Sequence, residues 1–467
     1  MDAQKSEKLV HYLLNLKYEE ISPEVLSQAK LCVLDTLGIA LAGSLTPLGK
    51  IVRGFAVGQG GKEETTIFNY GDRISAVLAA YANGTMAFCY NITDTTLSCV
   101  VHCGPAIIPA ALAMAEREGS TGKEFLAAVI VGYEMMTRVG NAINSGLARM
   151  NHHKSGFHAT GTTGAFGTCL TASRLLGLNL DRGISALGIA GSYASGILSS
   201  LTCPESESWK THTGIAAQNG ITAALLAQMG LKGPAAILEG KNGFLQAFGR
   251  GRFDVEKLDE NLGKKFLITD SSFKLYNCAH VWANPLDTLK RMCETYHLQP
   301  EDVAEIKVIV PTMYTYVMAS STEKKYPRNY AEAENNPYYL MAAMALHRRV
   351  SVEQFEDHVL RDPRMQEMTA KVNIQVEPSL DAIFQGTDKA PAQVRIVLTR
   401  DHKEISGAAD YPRGSPKNPV TQMELENKFI DLAARVFNSD RALEIIHLIS
   451  DLEKQNHLTD LVKCLTA

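Results

Sequence analysis

Lys210 stands in Ser208-Trp209-Lys210-Thr211-His212-Thr213-Gly214, directly before the small-residue run Ile215-Ala216-Ala217-Gln218-Asn219-Gly220. Small residues let helices approach closely. A flexible cation at the start of such a helix can reach an interior cleft, where burial makes its ammonium a strong anion ligand or a tunable acid. Four other stretches carry chemistry-bearing side chains. They are Asn91-Ile92-Thr93-Asp94-Thr95-Thr96 with His102-Cys103-Gly104-Pro105 behind it, Ser155 to Gly161 around His158, Phe273-Lys274-Leu275-Tyr276-Asn277-Cys278-Ala279-His280, and the Gly/Pro-rich Asp410 to Pro416. His102 and His158 each precede a helix that opens with small residues. Helix N-termini offer free N–H groups and partial positive charge, which favour carboxylates. An imidazole placed there binds an anion when protonated and acts as a general base when neutral. Two histidines, Lys210, Lys274 and Asp94 in such settings point to one site for an anionic substrate.

Other chemistries lack their signatures. The nine cysteines are scattered and odd in number, with no C-x-x-C pair, so neither a zinc site nor a disulfide framework is indicated. His152-His153 is adjacent rather than i, i+4. Gly58-Gln59-Gly60-Gly61 and Gly161-Thr162-Thr163-Gly164 fit neither a dinucleotide fingerprint nor a phosphate loop. The expectation is therefore no metal. A net charge of −4 offers no footprint for nucleic acid or anionic lipid, so an anionic substrate has to be caught by a local cluster of cations. The N-terminus lacks a signal-peptide pattern, apolar runs such as Phe125 to Val131 are short, and reduced thiols fit a cytoplasmic protein.

At 467 residues the chain exceeds what one core usually supports, which predicts two domains. Ser22-Pro23-Glu24 is a helix start: a capping hydroxyl, proline in the first turn, then an acid at the positive end of the dipole. Helical spacing predicts helices from there to Gly43 and over 76–88, 105–118, 161–176, 185–201 and 215–229, with no convincing strand before about residue 260. Period-two alternation then predicts strands at 305–310, 371–376 and 393–398, the last turning through Arg400-Asp401-His402-Lys403 into Glu404-Ile405-Ser406. Helices at 287–296 and 339–346 lie between them, and 424–437, 441–448 and 458–465 read as helices again. The expected fold is mainly α. A helical domain is formed by both termini (residues 1–264 and 403–467), with an inserted α+β lid domain at 265–402.

With these blocks in order, the chain resembles the MmgE/PrpD family of 2-methylcitrate dehydratases, cis-aconitate decarboxylases and an iminodisuccinate epimerase. The resemblance is carried by CVLDTLGIALAG from Cys32, GFHATGT from Gly156, WKTHTGIAAQNGI from Trp209, GPAAILEGKNGF from Gly233, FKLYNCAH from Phe273 and YPRGSPKNP from Tyr411. It implies a homodimer with a cofactor-free active site in the cleft between helical and lid domains. It places Asp94, Thr96, His102, His158, Lys210, Lys274 and Tyr276 on or beside site positions. Where the family often reads D-x-D-D-T and H-P-S, this chain has Ile92-Thr93-Asp94-Thr95-Thr96 and His102-Cys103-Gly104, which implies a divergent substrate.

The expected activity is a lyase, dehydratase or decarboxylase, on a small di- or tricarboxylic acid, moving a proton next to a carboxylate. His158, His102, Asp94 and Tyr276 are the catalytic candidates, and Lys210, Lys274 and Thr96 the substrate-binding ones. An isomerase or epimerase of a dicarboxylate is the alternative, and a non-catalytic carboxylate-binding protein the alternative of another class.

Overall fold

The structure is a computed structural model and describes residues 4–144, 150–199, 203, 206–315, 325–387 and 389–467. It is mainly α. In the first half, helices α1 (Gln4–Asn15), α2 (Pro23–Ser44), α3 (Pro47–Gln59), α4 (Ala76–Met86), α5 (Gly104–Glu118), α6 (Gly122–Asn144), the single turn α7 (Asn151–Lys154), α8 (Ala159–Leu175), α9 (Leu180–Ser192) and α10 (His212–Gln228) follow in order. Ser22 caps α2 as its sequence predicts, its hydroxyl accepting from Val25 N with Pro23 in the first turn.

The small-residue run predicted after Lys210 explains the centre of this half. Helix α10 packs against α4 and α8, and a Cβ at Gly220 would collide with the Thr168 hydroxyl. A Cβ on Gly84 would stand 3.0 Å from the Gly214 Cα, so only glycine permits that crossing. Helix α6 has no sequence-level prediction, and it is buried nearly throughout, including its Glu134–Arg138 ion pair. Helix α2 is long and apolar enough to cross a bilayer, yet 72% of that window is buried inside the fold and Asp35 within it pairs with Lys428. The helix predicted over 185–201 stops at Ser192. There the chain turns through Gly196 at φ +142° to bridge Ile197 to Phe157, and residues 200–202 lie outside the described residues.

Two short strands join the halves. β1 (Thr65–Thr66) and β2 (Arg73–Ile74) form a local hairpin, whereas β3 (Thr95–Thr96) pairs antiparallel with β4 (Ser271–Ser272). That second pair sets the loop carrying Asp94 and His102 against the segment carrying Lys274 and His280. The α+β unit holds a four-stranded sheet of β5 (Val303–Val310), β6 (Val372–Val376), β7 (Ala392–Leu398) and β8 (Glu404–Ala409) in the order β6-β5-β7-β8. Only β5 and β6 run parallel. Alternate residues of β7 are buried, as the period-two pattern predicts, and His402 takes the left-handed conformation in the hairpin turn. Helices Ala283–Thr295 and Pro337–His347 cover this sheet.

One apolar core spans residues 9–273 and 425–465, and a second spans 276–398. A domain boundary at 402/403 would cut the β7–β8 hairpin, whose register runs Ala392↔Ala409 to Val397↔Glu404, so the sheet extends past that point to Ala409.

Candidate active site

A cavity of about 140 Å³ opens where the two cores meet. From the helical side it is lined by Asn91, Thr95, His102, His153, His158 and Trp209, and from the α+β side by Lys274, His280, Asn335 and Phe384. Leu97, Val100, Met150, Leu198, Val281 and Met313 make much of the wall apolar.

His102 ends the loop before α5, and its orientation is fixed by that loop. Its Nδ1 lies 2.7 Å from the Asp94 carbonyl oxygen, which only accepts, so Nδ1 carries the proton and Nε2 keeps its lone pair. The Thr95 and Thr93 hydroxyls stand 3.0 and 3.2 Å from the same nitrogen. Burial and the nearby Lys274 ammonium hold His102 well below the usual histidine range, so the ring is neutral at pH 7. His158 is the N-cap residue of α8, held by its N–H to the Gly196 carbonyl at 3.0 Å. Its Nδ1 lies 2.9 Å from Nδ1 of His212. The Thr160 hydroxyl, in the first turn of α8, accepts from the backbone N–H of His102 at 3.1 Å.

Lys274 reaches the cavity from the other side. Its ammonium donates to Asn91 Oδ1 at 2.7 Å and to the Cys278 carbonyl at 3.2 Å, while Asn91 Nδ2 donates to Asn335 Oδ1. Burial lowers its pKa to about 8, which still leaves most of it charged at pH 7. Behind the wall sits a second lysine. Lys428, on the helix Gln422–Ala433, donates to Asp35 Oδ1 (2.5 Å), the Ile92 carbonyl (2.6 Å) and the Lys274 carbonyl (2.8 Å). It thereby clamps the backbones whose side chains, Asn91 and Lys274, meet in the cavity.

Of the seven predicted site residues, His102, His158 and Lys274 line the cavity, and four do not. Lys210 is buried, but its ammonium already has partners: Glu334 Oε1 at 3.3 Å, the Cys89 carbonyl at 2.9 Å and the face of Tyr330 at 4.2 Å. Its neighbour Trp209 takes the place on the wall. Asp94 lies behind His102, its carboxylate accepting from Gly104 N at 3.0 Å and from the Tyr133 hydroxyl at 3.0 Å. Burial, with Asp35 nearby, pushes it up to about 7. It caps α5 and fixes His102 through its carbonyl. Thr95 and Thr96 both pair with β4, but successive side chains of a strand point to opposite faces, so Thr95 faces the site and Thr96 is buried away from it. Tyr276 packs into the second core with its hydroxyl donating to Asp287 Oδ1 at 3.2 Å. Ile92 packs with Ile39, Ala42, Val352 and Leu432, away from the cavity.

His280 and His153 complete the wall without having been singled out in the sequence. His280 is buried, and among the described residues neither ring nitrogen has a hydrogen-bond partner; burial and Lys274 lower it to about 3. His153 accepts from Asn144 Nδ2 at 3.0 Å, so its proton is on Nε2. The position of His280 in FKLYNCAH, two residues after the Cys278 whose carbonyl holds Lys274, is the one signal that pointed to it. Among the described residues no three His, Cys, Asp or Glu side chains are grouped closely enough to hold a metal ion. The arrangement can bind a carboxylate on one ammonium and move protons through neutral imidazoles.

Known proteins are similar to this chain in sequence. Residues 7–256 match the MmgE/PrpD N-terminal domain and residues 276–454 the MmgE/PrpD C-terminal domain. A cis-aconitate decarboxylase of Aspergillus terreus (strain NIH 2624 / FGSC A1156) is 25% identical, with 98% of this chain and 95% of the relative covered. Cis-aconitate decarboxylase of Homo sapiens is 24% identical over 96% and 92%. The 2-methylcitrate dehydratase of Salmonella typhimurium is 22% identical over 95% and 92%. With both family domains matched along nearly its whole length, the chain belongs to the MmgE/PrpD family and is an enzyme of its lyase type.

Proposed function

We propose that the protein is a cofactor-independent decarboxylase of a small di- or tricarboxylic acid, with cis-aconitate the first substrate to try. The observation that supports this is the make-up of the cavity wall: the Lys274 ammonium among neutral imidazoles and apolar side chains. Lys274 holds a carboxylate that the product keeps. The carboxylate to be lost rests against Leu97, Val100, Val281 and Phe384. Losing hydration there weighs on a charged carboxylate far more than on the neutral carbon dioxide that leaves. The C–C bonding pair stays on carbon, and an imidazole of the wall, His158 first, supplies the proton. Decarboxylases are also among the relatives at 24–25% identity, against 22% for the Salmonella dehydratase.

The test is NMR in deuterated water with cis-aconitate, 2-methylcitrate, citrate and iminodisuccinate. Carbon dioxide with one deuterium in the product is the expected result. Loss of water without carbon dioxide would make the enzyme a dehydratase, and deuterium uptake without loss of mass an epimerase. A cytoplasmic homodimer belongs to the same proposal. It is supported by nine free thiols and by Ile51 and Phe55 of α3, which are 64% and 50% exposed. Light scattering on the purified protein checks the dimer.

A further inference from the structure

We propose that His158 and His212 form a two-imidazole relay that carries protons between solvent and the cavity while the site stays neutral; this rests on the reading of His158 as the group that protonates the substrate carbon. Two ring nitrogens 2.9 Å apart must share one proton, because one ring has to donate and the other accept. Both rings are therefore committed through Nδ1, and each keeps Nε2 for another partner. His158 is 6% exposed and lines the cavity. His212, the first residue of α10, is outside the wall and only half-buried. The pair thus joins the cavity to the surface.

Burial, with other histidines around it, holds His158 well below the usual histidine range, so the ring is neutral. Phe88 stacks on its ring and Trp209 meets it edge-on. The titratable groups around it, His212, His153, His102 and His152, are all potential cations that disfavour a second charge. Burial alone lowers His212 to about 4. A lone neutral imidazole is a feeble acid, and the second ring removes that difficulty. As the His158 Nε2 proton passes to the substrate carbon and forms its C–H bond, the His212 Nδ1 proton moves to His158 Nδ1. In the same step a solvent acid supplies a proton to His212 Nε2, so that neither ring passes through an imidazolate. Both rings end neutral with their tautomers exchanged, and His158 now presents a basic Nε2. Product release admits water, and the same path run backwards resets the pair. One tautomer is an acid toward the cavity and the other a base.

The experiment compares wild-type enzyme with His212→Ala and His212→Gln, following turnover of whichever carboxylic acid the NMR screen identifies. Loss of acid–base assistance lowers kcat roughly 10²–10⁴-fold with KM unchanged. Added imidazole restores His212→Ala, because the half-buried position opens to solvent. N-methylimidazole, which has no N–H to pass on, does not. Independently of turnover, 15N-histidine labelling shows one downfield proton coupled to two Nδ1 nitrogens, lost in both variants. An unchanged kcat in His212→Ala, equal rescue by N-methylimidazole, or absence of the shared proton in wild type would overturn the relay. If an acid in the screen loses water or takes up deuterium without losing carbon dioxide, the decarboxylase reading fails, while the same loss of kcat in His212→Ala keeps the relay.

Discussion

Replacing Lys210 with methionine separates a structural lysine from a substrate-binding one. Methionine keeps the length of the stem and removes the ammonium, leaving Glu334 buried without its ion-pair partner. Burial already pushes Glu334 above the usual carboxylate range, with Lys210 pulling it back. Once Lys210 is gone, the carboxyl avoids the uncompensated charge by holding a proton at pH 7. Relative to an unfolded chain in which it titrates near 4.3, that proton costs about 3.7 kcal/mol at about 1.36 kcal/mol per pH unit. This agrees with the 3–5 kcal/mol typical of breaking a buried ion pair. The sign follows from linkage: the folded variant binds one proton more than the unfolded chain above about pH 4.3, so its stability falls as pH rises. The deficit against wild type should shrink to about 1 kcal/mol at pH 5. Urea unfolding of the two proteins at pH 7 and pH 5 measures it, and Lys210→Met/Glu334→Leu should recover most of the loss at pH 7. A deficit under ~1 kcal/mol at pH 7, together with a large rise in KM, would return Lys210 to the substrate and refute the reasoning.

Lys274→Met removes the ammonium on the cavity wall and should weaken substrate binding by about 2–5 kcal/mol, read as KM or by calorimetry with the product. Because Lys274 titrates at about 8, wild-type KM should climb as pH rises through that value and the ammonium is lost, a dependence that Lys274→Met abolishes. His102→Phe keeps the ring near Phe88 but removes both ring nitrogens, and should cut kcat roughly 10²–10⁴-fold while lowering the melting temperature, because the Asp94 carbonyl loses its donor. Prolonged dialysis against a chelator should leave activity intact, and activity that returns only with added metal would contradict the cofactor-free proposal.

Features set by local sequence were legible before the structure. The capping of α2, the glycine-lined crossing at Gly214 and Gly220, and the alternation of β5 and β7 are all consequences of residues near one another in the chain. The site was legible only in part. His102, His158 and Lys274 stand out by type and setting, but whether a side chain faces a cavity depends on who meets it from elsewhere. Glu334 claims Lys210 and Asp287 claims Tyr276, and neither partner is visible from the local spacing. His280 was passed over for the opposite reason: its ring nitrogens have no hydrogen-bond partner among the described residues, a property that only the packed fold displays. Thr95 and Thr96 differ by one position on a strand, and that one-residue step decides which hydroxyl meets His102.

The Lys428 clamp has a consequence for biosynthesis. Asn91, His158, Lys274 and the sheet have all been translated well before the helix that carries Lys428. Until that helix docks, Asp35 lacks its cation and the Ile92 and Lys274 carbonyls lack their donor. A chain folded only as far as the sheet therefore has every group of the cavity but not the tie that aligns them, and docking of the later helix Gln422–Ala433 completes the alignment.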